Sequence, residues 1–133
     1  MDLEEFTKKW IEVFAVNVPK RDIKNRLLTT GRIQNYIWHL FSYGFIPEDS
    51  YLSGDEARKA FDEVDKAGAS YIVPFERKAH LKDITHEFSS SADAEKYTEI
   101  YFIGKNYKWT YIKTHETEQC GPYFCYKKSV NKK

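Results

Sequence analysis

Residues 99–112 of the chain read EIYFIGKNYKWTYI. Two runs rich in β-branched and aromatic residues, 99–103 and 108–112, flank the polar segment 104–107. Such runs on both sides of a short polar turn are typical of a β-hairpin. We therefore predict two antiparallel strands here. The second run is the stronger β segment, and we expect its strand to lie centrally in a sheet.

Weaker strand patterns surround this hairpin. Residues 71–75 form a β-branched and aromatic run in which Pro74 indicates a sheet edge or the end of a strand. Residues 79–84 predict a weak strand, and residues 122–126 predict one more. The polar residues 89–93 predict a loop that starts a short helical turn.

Helical periodicity dominates the chain before residue 68. Apolar residues at helical spacing predict a helix over residues 2–16, and a second, short helix follows over residues 19–28. A third helix, apolar around most of its circumference and ending at Tyr43-Gly44, is predicted from a stripe that comprises Ile33, Tyr36, Ile37, Leu40 and Phe41. Ser53 and Glu56 match a capping box at the start of a further helix.

Helices come first in this chain and antiparallel strands follow. This order is typical of an α+β fold, with the N-terminal helices packed on one face of a C-terminal, mainly antiparallel sheet. The sequence shows no internal repeat or linker, so we expect one domain over residues 1–126 and a basic, flexible tail over residues 127–133.

Composition narrows the classes of function. The chain has 133 residues, of which 17% are aromatic, and a formal net charge of +1. This charge argues against a general nucleic-acid binder. No apolar run approaches the ~20 residues that span a bilayer, so we expect no membrane partner. The acidic N-terminus does not resemble a signal peptide. We therefore expect a cytoplasmic protein in which Cys120 and Cys125 are free thiols.

The stretch THETEQCGPYF, residues 114–124, carries the main candidate site. It places His115, Glu116 and Cys120 at the end of a predicted strand, and Cys120 with His115 or His39 could form a nucleophilic pair. A zinc site is also conceivable from His115, Cys120 and Cys125, with His39, His80 or His86 as the fourth ligand. The spacing of these residues is not one of the common zinc-binding patterns. We therefore predict no metal and no cofactor. A structural turn or a binding surface is the favoured interpretation.

A second prediction concerns how the two parts of the chain meet. We expect the helix that contains Trp38 and His39 to pack near the end of the strand that carries His115. Phe41 should then join a buried aromatic cluster with Trp38, Trp109 or both. His39, His115 and Glu116 would form a polar rim around that cluster. The candidate binding residues are accordingly Trp38, His39, Trp109, His115, Glu116 and Tyr123.

Several motifs together resemble a known family. They are WHLFS at 38–42, GDEA at 54–57 followed by Phe61, WTYIKTHE at 109–116, and CGPYF at 120–124. The chain resembles a family of small bacterial proteins of unknown function, found mainly in Bacillus-like Gram-positive bacteria. The similarity extends from the first helix to Phe124. The resemblance implies no established activity.

Two hypotheses about function follow. The first is a non-enzymatic protein-interaction module, for instance an immunity or antitoxin-like partner of another bacterial protein. It is favoured because the chain is rich in aromatic residues and lacks dinucleotide, P-loop and hydrolase motifs. The alternative is a small enzyme that uses Cys120 with His115 or His39. A thiol and an imidazole within hydrogen-bond reach would favour the enzyme.

Overall fold

The computed structural model describes residues 1–29, 32–33, 36–116 and 120–127, with only the backbone at residues 28, 29, 32 and 33. The strands are β1 (Leu28–Thr29), β2 (Arg32–Ile33), β3 (Leu52–Ser53), β4 (Ser70–Ile72), β5 (Lys82–Asp83), β6 (Ile100–Ile103), β7 (Trp109–Lys113) and β8 (Tyr123–Tyr126). The helices are α1 (Leu3–Phe14), α2 (Lys20–Leu27), α3 (His39–Ser42), α4 (Gly54–Glu63) and α5 (Ser91–Ala94).

Six of these strands form one antiparallel sheet in the order β3-β8-β7-β6-β4-β5. β1 and β2 form a separate antiparallel pair. The predicted α+β class, with helices in the N-terminal part and an antiparallel sheet in the C-terminal part, is confirmed.

The predicted hairpin is confirmed and forms the centre of the sheet. β6 pairs with β7 so that Ile100 is opposite Lys113 and Ile103 is opposite Thr110. β8 pairs with the other side of β7, which places β7 between two partners. The turn needs Gly104, because a Cβ atom there would lie 2.3 Å from Nε1 of Trp109.

Helices cover both faces of this sheet. Successive residues of β6 point to opposite faces, so Tyr101 and Ile103 join one core cluster while Ile100 and Phe102 join the other. The first cluster contains buried side chains of α1, α2 and α3. The prediction that the N-terminal helices all pack on one face of the sheet is wrong for α4, which packs on the other face. The second contains Phe61 of α4, whose ring lies 4.3 Å from that of Tyr111.

The predicted third helix is largely wrong. α3 spans only residues 39–42, and Ile33 belongs to β2. Ile37, Trp38, Leu40 and Phe41 are buried, whereas Tyr36 and His39 are half-buried. Apolar spacing alone does not distinguish a helix from an irregular segment whose side chains are buried by tertiary contacts.

The predicted capping box at Ser53 is also wrong. The helix does begin after Ser53, but the Ser53 hydroxyl makes no capping hydrogen bond. Ser53 lies instead in β3, opposite Tyr123, a strand that the sequence did not predict. Gly54 follows with φ +60°. The change of backbone direction between β3 and α4 takes place at this glycine, without an intervening loop. Of the predicted tail, residues 128–133 lie outside the described part of the chain.

A substitution at Phe41 tests the hydrophobic core between the sheet and helices α1 to α3. It is 1% exposed and its ring lies 4.7 Å from those of Tyr51 and Tyr123. We expect Phe41→Ala to lower the free energy of unfolding by about 3–5 kcal/mol, measured by urea denaturation. Phe75→Ala is the control: that residue is 50% exposed, and we expect a loss below about 1 kcal/mol. Equal losses would contradict this assignment of the core.

Candidate functional site

The Glu99 carboxylate is buried at the meeting point of two strand ends. Glu99 directly precedes β6 and His115 follows β7 by two residues, so the pairing of these strands brings them together. Oε1 of Glu99 accepts a hydrogen bond from the His115 backbone N–H at 3.1 Å and lies 2.6 Å from His115 Nδ1. The Tyr101 hydroxyl donates to Oε2. A carboxylate that is 1% exposed thereby accepts two hydrogen bonds and makes a third close contact, with the His115 ring.

This contact fixes the orientation of the His115 ring. An ionised carboxylate only accepts hydrogen bonds, so we infer that Nδ1 carries the proton in the contact with Glu99. Nε2 is then the nitrogen left for other contacts, and it makes no hydrogen bond with the described residues. The His115 side chain is 29% exposed. The arrangement therefore presents one imidazole nitrogen in a fixed position near the surface.

A row of aromatic rings extends on both sides of His115. We call Tyr43, His39, Tyr36, His115 and Phe75 the histidine surface. Neighbouring ring centroids in this row are 5.1 Å, 5.7 Å, 5.0 Å and 5.7 Å apart. Tyr43 and Phe75, at its two ends, are 58% and 50% exposed. The row thus forms one continuous surface with exposed ends.

Trp38 lies beneath this row and contacts three of its members. Its ring centroid is 4.6 Å from that of His39, 5.4 Å from that of His115 and 5.5 Å from that of Tyr36. Trp38 is 1% exposed, and its Nε1 has no hydrogen-bond partner among the described residues. The two histidines therefore share one aromatic support, which confirms the prediction that the two segments meet.

The environment of His39 disfavours protonation of its ring. Burial is the main cause that lowers the pKa of His39, and the positive charge of Arg26 adds to it. Glu116 and Glu99 oppose this shift but do not reverse it. The guanidinium of Arg26 also lies 3.6 Å from the ring centroid of Tyr43, at one end of the histidine surface. The neutral imidazole is therefore favoured at position 39.

The environment of Cys120 disfavours the thiolate form of its side chain. Burial, followed by the nearby Glu116, raises the pKa of the Cys120 thiol. A hydrogen bond with Tyr123 partly opposes the shift, and no hydrogen bond between the described residues joins the thiol to His39 or His115. Cys120 and Tyr123 line a groove of about 420 Å³ beside Phe41 and Tyr51. A raised pKa disfavours the thiolate that nucleophilic chemistry requires.

The predicted site residues are only partly brought together. Trp38, His39 and His115 are in ring contact, and the charge of Glu116 reaches His39. Trp109 lies in the core on the opposite face of the sheet, and Tyr123 is buried. Sequence reasoning did not identify Glu99, Tyr36, Tyr43 and Phe75 as site residues. Within residues 1–29, 32–33, 36–116 and 120–127, no group of three or more His, Cys, Asp or Glu side chains is arranged to hold a metal ion.

Comparison with known proteins identifies the family. The model of the domain of unknown function DUF4275 matches residues 4–124, so the chain belongs to this family. The expected membership of a family of unknown function is thereby confirmed. No curated protein and no solved structure matches the chain. Among the described residues, no helix combines the length and the apolar character that crossing a bilayer requires.

The coupling between Glu99 and His115 can be measured. We expect His115→Ala to lower the free energy of unfolding by about 1–3 kcal/mol, because it deprives a buried carboxylate of a donor. In the Glu99→Gln background the same change should cost less, since an amide is less costly to leave partly unpaired. A double-mutant cycle by urea denaturation, with the exposed His86→Ala as control, measures this difference. Strict additivity would contradict the coupling.

The lowered pKa of His39 predicts a pH dependence of stability. The unfolded chain takes up a proton on His39 near its ordinary pKa of about 6.5, whereas the folded chain does so only at lower pH. Stability from this group is therefore complete above about pH 6.5 and is lost as the pH falls below it. We expect His39→Gln to flatten the decline in melting temperature between neutral and mildly acidic pH, and the exposed His80→Gln to leave it unchanged. Identical profiles would contradict the assignment.

Proposed function

We propose that this chain is a non-enzymatic module that binds a protein partner through the histidine surface. The supporting observation is the continuous row of ring contacts from Tyr43 to Phe75, exposed at both ends and packed on Trp38. Aromatic side chains that present a large rigid area are favoured anchors of protein interfaces. The proposal includes a binding role for Trp38, His39, His115 and Glu116.

The packing of the surface supports binding because it lowers the cost of ordering. His115 is held at Nδ1 by the buried Glu99, and Trp38 supports both histidines from below. Side chains that are fixed before association lose little conformational freedom when a partner binds. The hydrogen-bonding group at Nε2 of His115 is thus presented in a defined direction between apolar rings, an arrangement suited to selective recognition.

A cytoplasmic, bacterial setting belongs to the same proposal. Both cysteines are free thiols, which fits a reducing compartment. An immunity or antitoxin-like role is the specific form of the hypothesis. A gene for a toxin beside the gene for this chain would support it.

The enzyme hypothesis based on Cys120 is less well supported. Its premise is a thiol activated by His115 or His39, but the hydrogen-bond partner of this thiol is Tyr123 and its pKa is raised. Glu99 and His115 do form a carboxylate–imidazole pair of the kind that can position a general base. Among the described residues, no hydrogen bond joins His115 to a thiol or hydroxyl group, so binding remains the better-supported role.

Comparative affinity capture tests the proposed surface. The tagged chain and its Tyr43→Ser/Phe75→Ser variant are incubated with lysate of the source organism, and recovered proteins are quantified by mass spectrometry. We expect each of the two aromatic anchors to contribute more than about 1 kcal/mol to binding. Their combined loss should weaken binding of a specific partner, and reduce its recovery, by about 30-fold. The control Val16→Ser/Tyr126→Ser changes residues that are 46% and 61% exposed elsewhere, and it should retain the partner.

Two outcomes would reject the proposed surface. One is recovery of the partner that is unaffected by Tyr43→Ser/Phe75→Ser, and the other is an equal loss with the control variant. Cys120→Ser is included because the enzyme hypothesis requires the thiol, whereas binding through the histidine surface does not. Thermal melts of every variant establish that it is folded.

A further inference from the structure

The six-stranded sheet has an open edge at β3. This strand comes first in the sheet order, so among the described residues it pairs on one side only, with β8. The backbone is extended at Tyr51 (φ −146°, ψ 164°) and at Ser53 (φ −137°, ψ 163°), so the extended segment reaches over residues 51–53. An unpaired strand edge offers backbone donors and acceptors to a further strand.

The register shows which backbone groups of this segment are open. The Gly54 N–H donates to the Pro122 C=O at 3.0 Å, so Gly54 turns its N–H toward β8. Along a strand of an antiparallel pair, successive residues turn their backbone groups to alternate sides. The backbone groups of Leu52 therefore also face β8, whereas the N–H groups of Tyr51 and Ser53 point away from it. These two donors are two residues apart, as pairing with an added strand requires.

A groove lies beside β3 on the face of the sheet that carries α4. Leu52 is opposite Phe124, a member of the second core cluster, so the Leu52 side chain lies on this face. The groove has a volume of about 430 Å³, and we call it the α4 groove. Its lining combines apolar and charged side chains, among them Leu52, Val64, Tyr126, Glu56, Lys59 and Glu63.

A second groove lies beside β3 on the opposite face. Ser53 is opposite Tyr123, which belongs to the first core cluster, and Tyr51 packs against the same cluster. This groove has a volume of about 420 Å³, and we call it the Tyr51 groove. The rings of Phe41, Tyr51 and Tyr123 line it. Among the described residues of its lining, Glu48 is the one charged side chain.

The two grooves match the geometry of a single added strand. Successive side chains of a strand point to opposite faces of a sheet. A strand added at β3 therefore directs alternate side chains toward the α4 groove and the others toward the Tyr51 groove. In this mode of recognition, backbone pairing supplies affinity and the pockets for alternate side chains supply selectivity. We call residues 51–53 and the two grooves together the β3 edge.

The charges of the grooves indicate the chemistry of the added strand. Their linings contain three exposed carboxylates, Glu48, Glu56 and Glu63, and one exposed ammonium group, that of Lys59. None of these three carboxylates forms an ion pair with another described residue. A lysine or arginine side chain can lay its aliphatic stem on apolar or aromatic surface while its charged end stays in water. Both parts of such a side chain have a complement in these grooves.

We propose that the β3 edge binds an extended, basic segment of a partner protein, which adds a strand to the sheet. Apolar side chains and aliphatic stems of the segment enter the two grooves, and its cationic groups meet Glu48, Glu56 and Glu63. The β3 edge lies outside the histidine surface. The inference therefore goes beyond the proposed function and does not depend on it.

A second copy of this chain fits the β3 edge less well than a basic partner. Antiparallel pairing of β3 with β3 of a second copy would place the α4 grooves of both copies side by side on one face. Glu56 and Glu63 would then lie near the same carboxylates of the other copy, and like charges that oppose each other across paired strands are destabilising. A partner with basic side chains replaces this repulsion with attraction.

A defined peptide tests the inference without knowledge of the partner. A fluorescently labelled octapeptide of alternating lysine and valine is titrated with the chain, and anisotropy gives Kd. We expect saturable binding, and binding about tenfold weaker or less for a glutamate–valine peptide of the same length. N-methylation of the central residues removes backbone donors from both edges of the peptide and keeps its charge. It should weaken binding by about tenfold, because strand addition needs those donors.

Charge reversal in both grooves should also weaken binding. Glu48→Lys/Glu63→Lys places a cation in each groove, and we expect Kd to rise about tenfold. The matched control Asp83→Lys/Glu87→Lys reverses two exposed carboxylates, one in β5 at the opposite edge of the sheet and one shortly after it. It should leave Kd unchanged. Thermal melts establish that both variants are folded, and the two peptide controls do not depend on either variant.

Several outcomes would overturn the inference. They are no binding of the lysine–valine peptide, equal binding of the glutamate–valine peptide, no effect of N-methylation, and equal weakening by the control variant. A dimer in light scattering that Leu52→Asp dissociates would assign the β3 edge to a second copy of this chain instead. Tighter peptide binding by Lys128→Glu/Lys132→Glu/Lys133→Glu would assign it to the chain's own basic residues.

Discussion

The buried Glu99 carboxylate is the constraint on which the candidate site depends. A carboxylate in the interior is tolerated only when its oxygens are supplied with donors, and here the donors come from His115 and Tyr101. The hairpin provides this arrangement, because the start of β6 and the end of β7 lie side by side. His115 is consequently fixed where Trp38 and Tyr36 can pack against it. The site is an extension of the strongest element of the fold.

The sheet also separates the helices into two groups. One face carries α1 to α3, the histidine surface and the basic α2, and the other carries the acidic α4. Side chains alternate along β6 and β7, so each face of the sheet has its own aromatic core. The many aromatic residues of the chain are divided between these two cores. A sheet covered on both faces supports the exposed rings rigidly.

Local sequence patterns predict the parts of this fold that local forces determine. The hairpin at 99–112 and helix α1 follow from alternation and amphipathic spacing, and both are observed. The predicted third helix is observed only over residues 39–42, and tertiary contacts bury Ile37 and Trp38 outside it. Ser53 fails as a cap because strand pairing with Tyr123 determines its conformation. The sequence did not indicate the role of Glu99, because a single carboxylate before a strand does not reveal that it will contact a histidine 16 residues later.

Two titratable side chains of the candidate site are shifted toward their neutral forms. A nucleophile or general base needs a pKa close to the working pH, yet the Cys120 thiol is shifted away from the thiolate. His39 is shifted toward the neutral ring by burial and by the charge of Arg26, whose guanidinium lies on the ring of Tyr43. The contact with Glu99 fixes which nitrogen of His115 faces outward, and under the proposed function this nitrogen is a group that the partner meets.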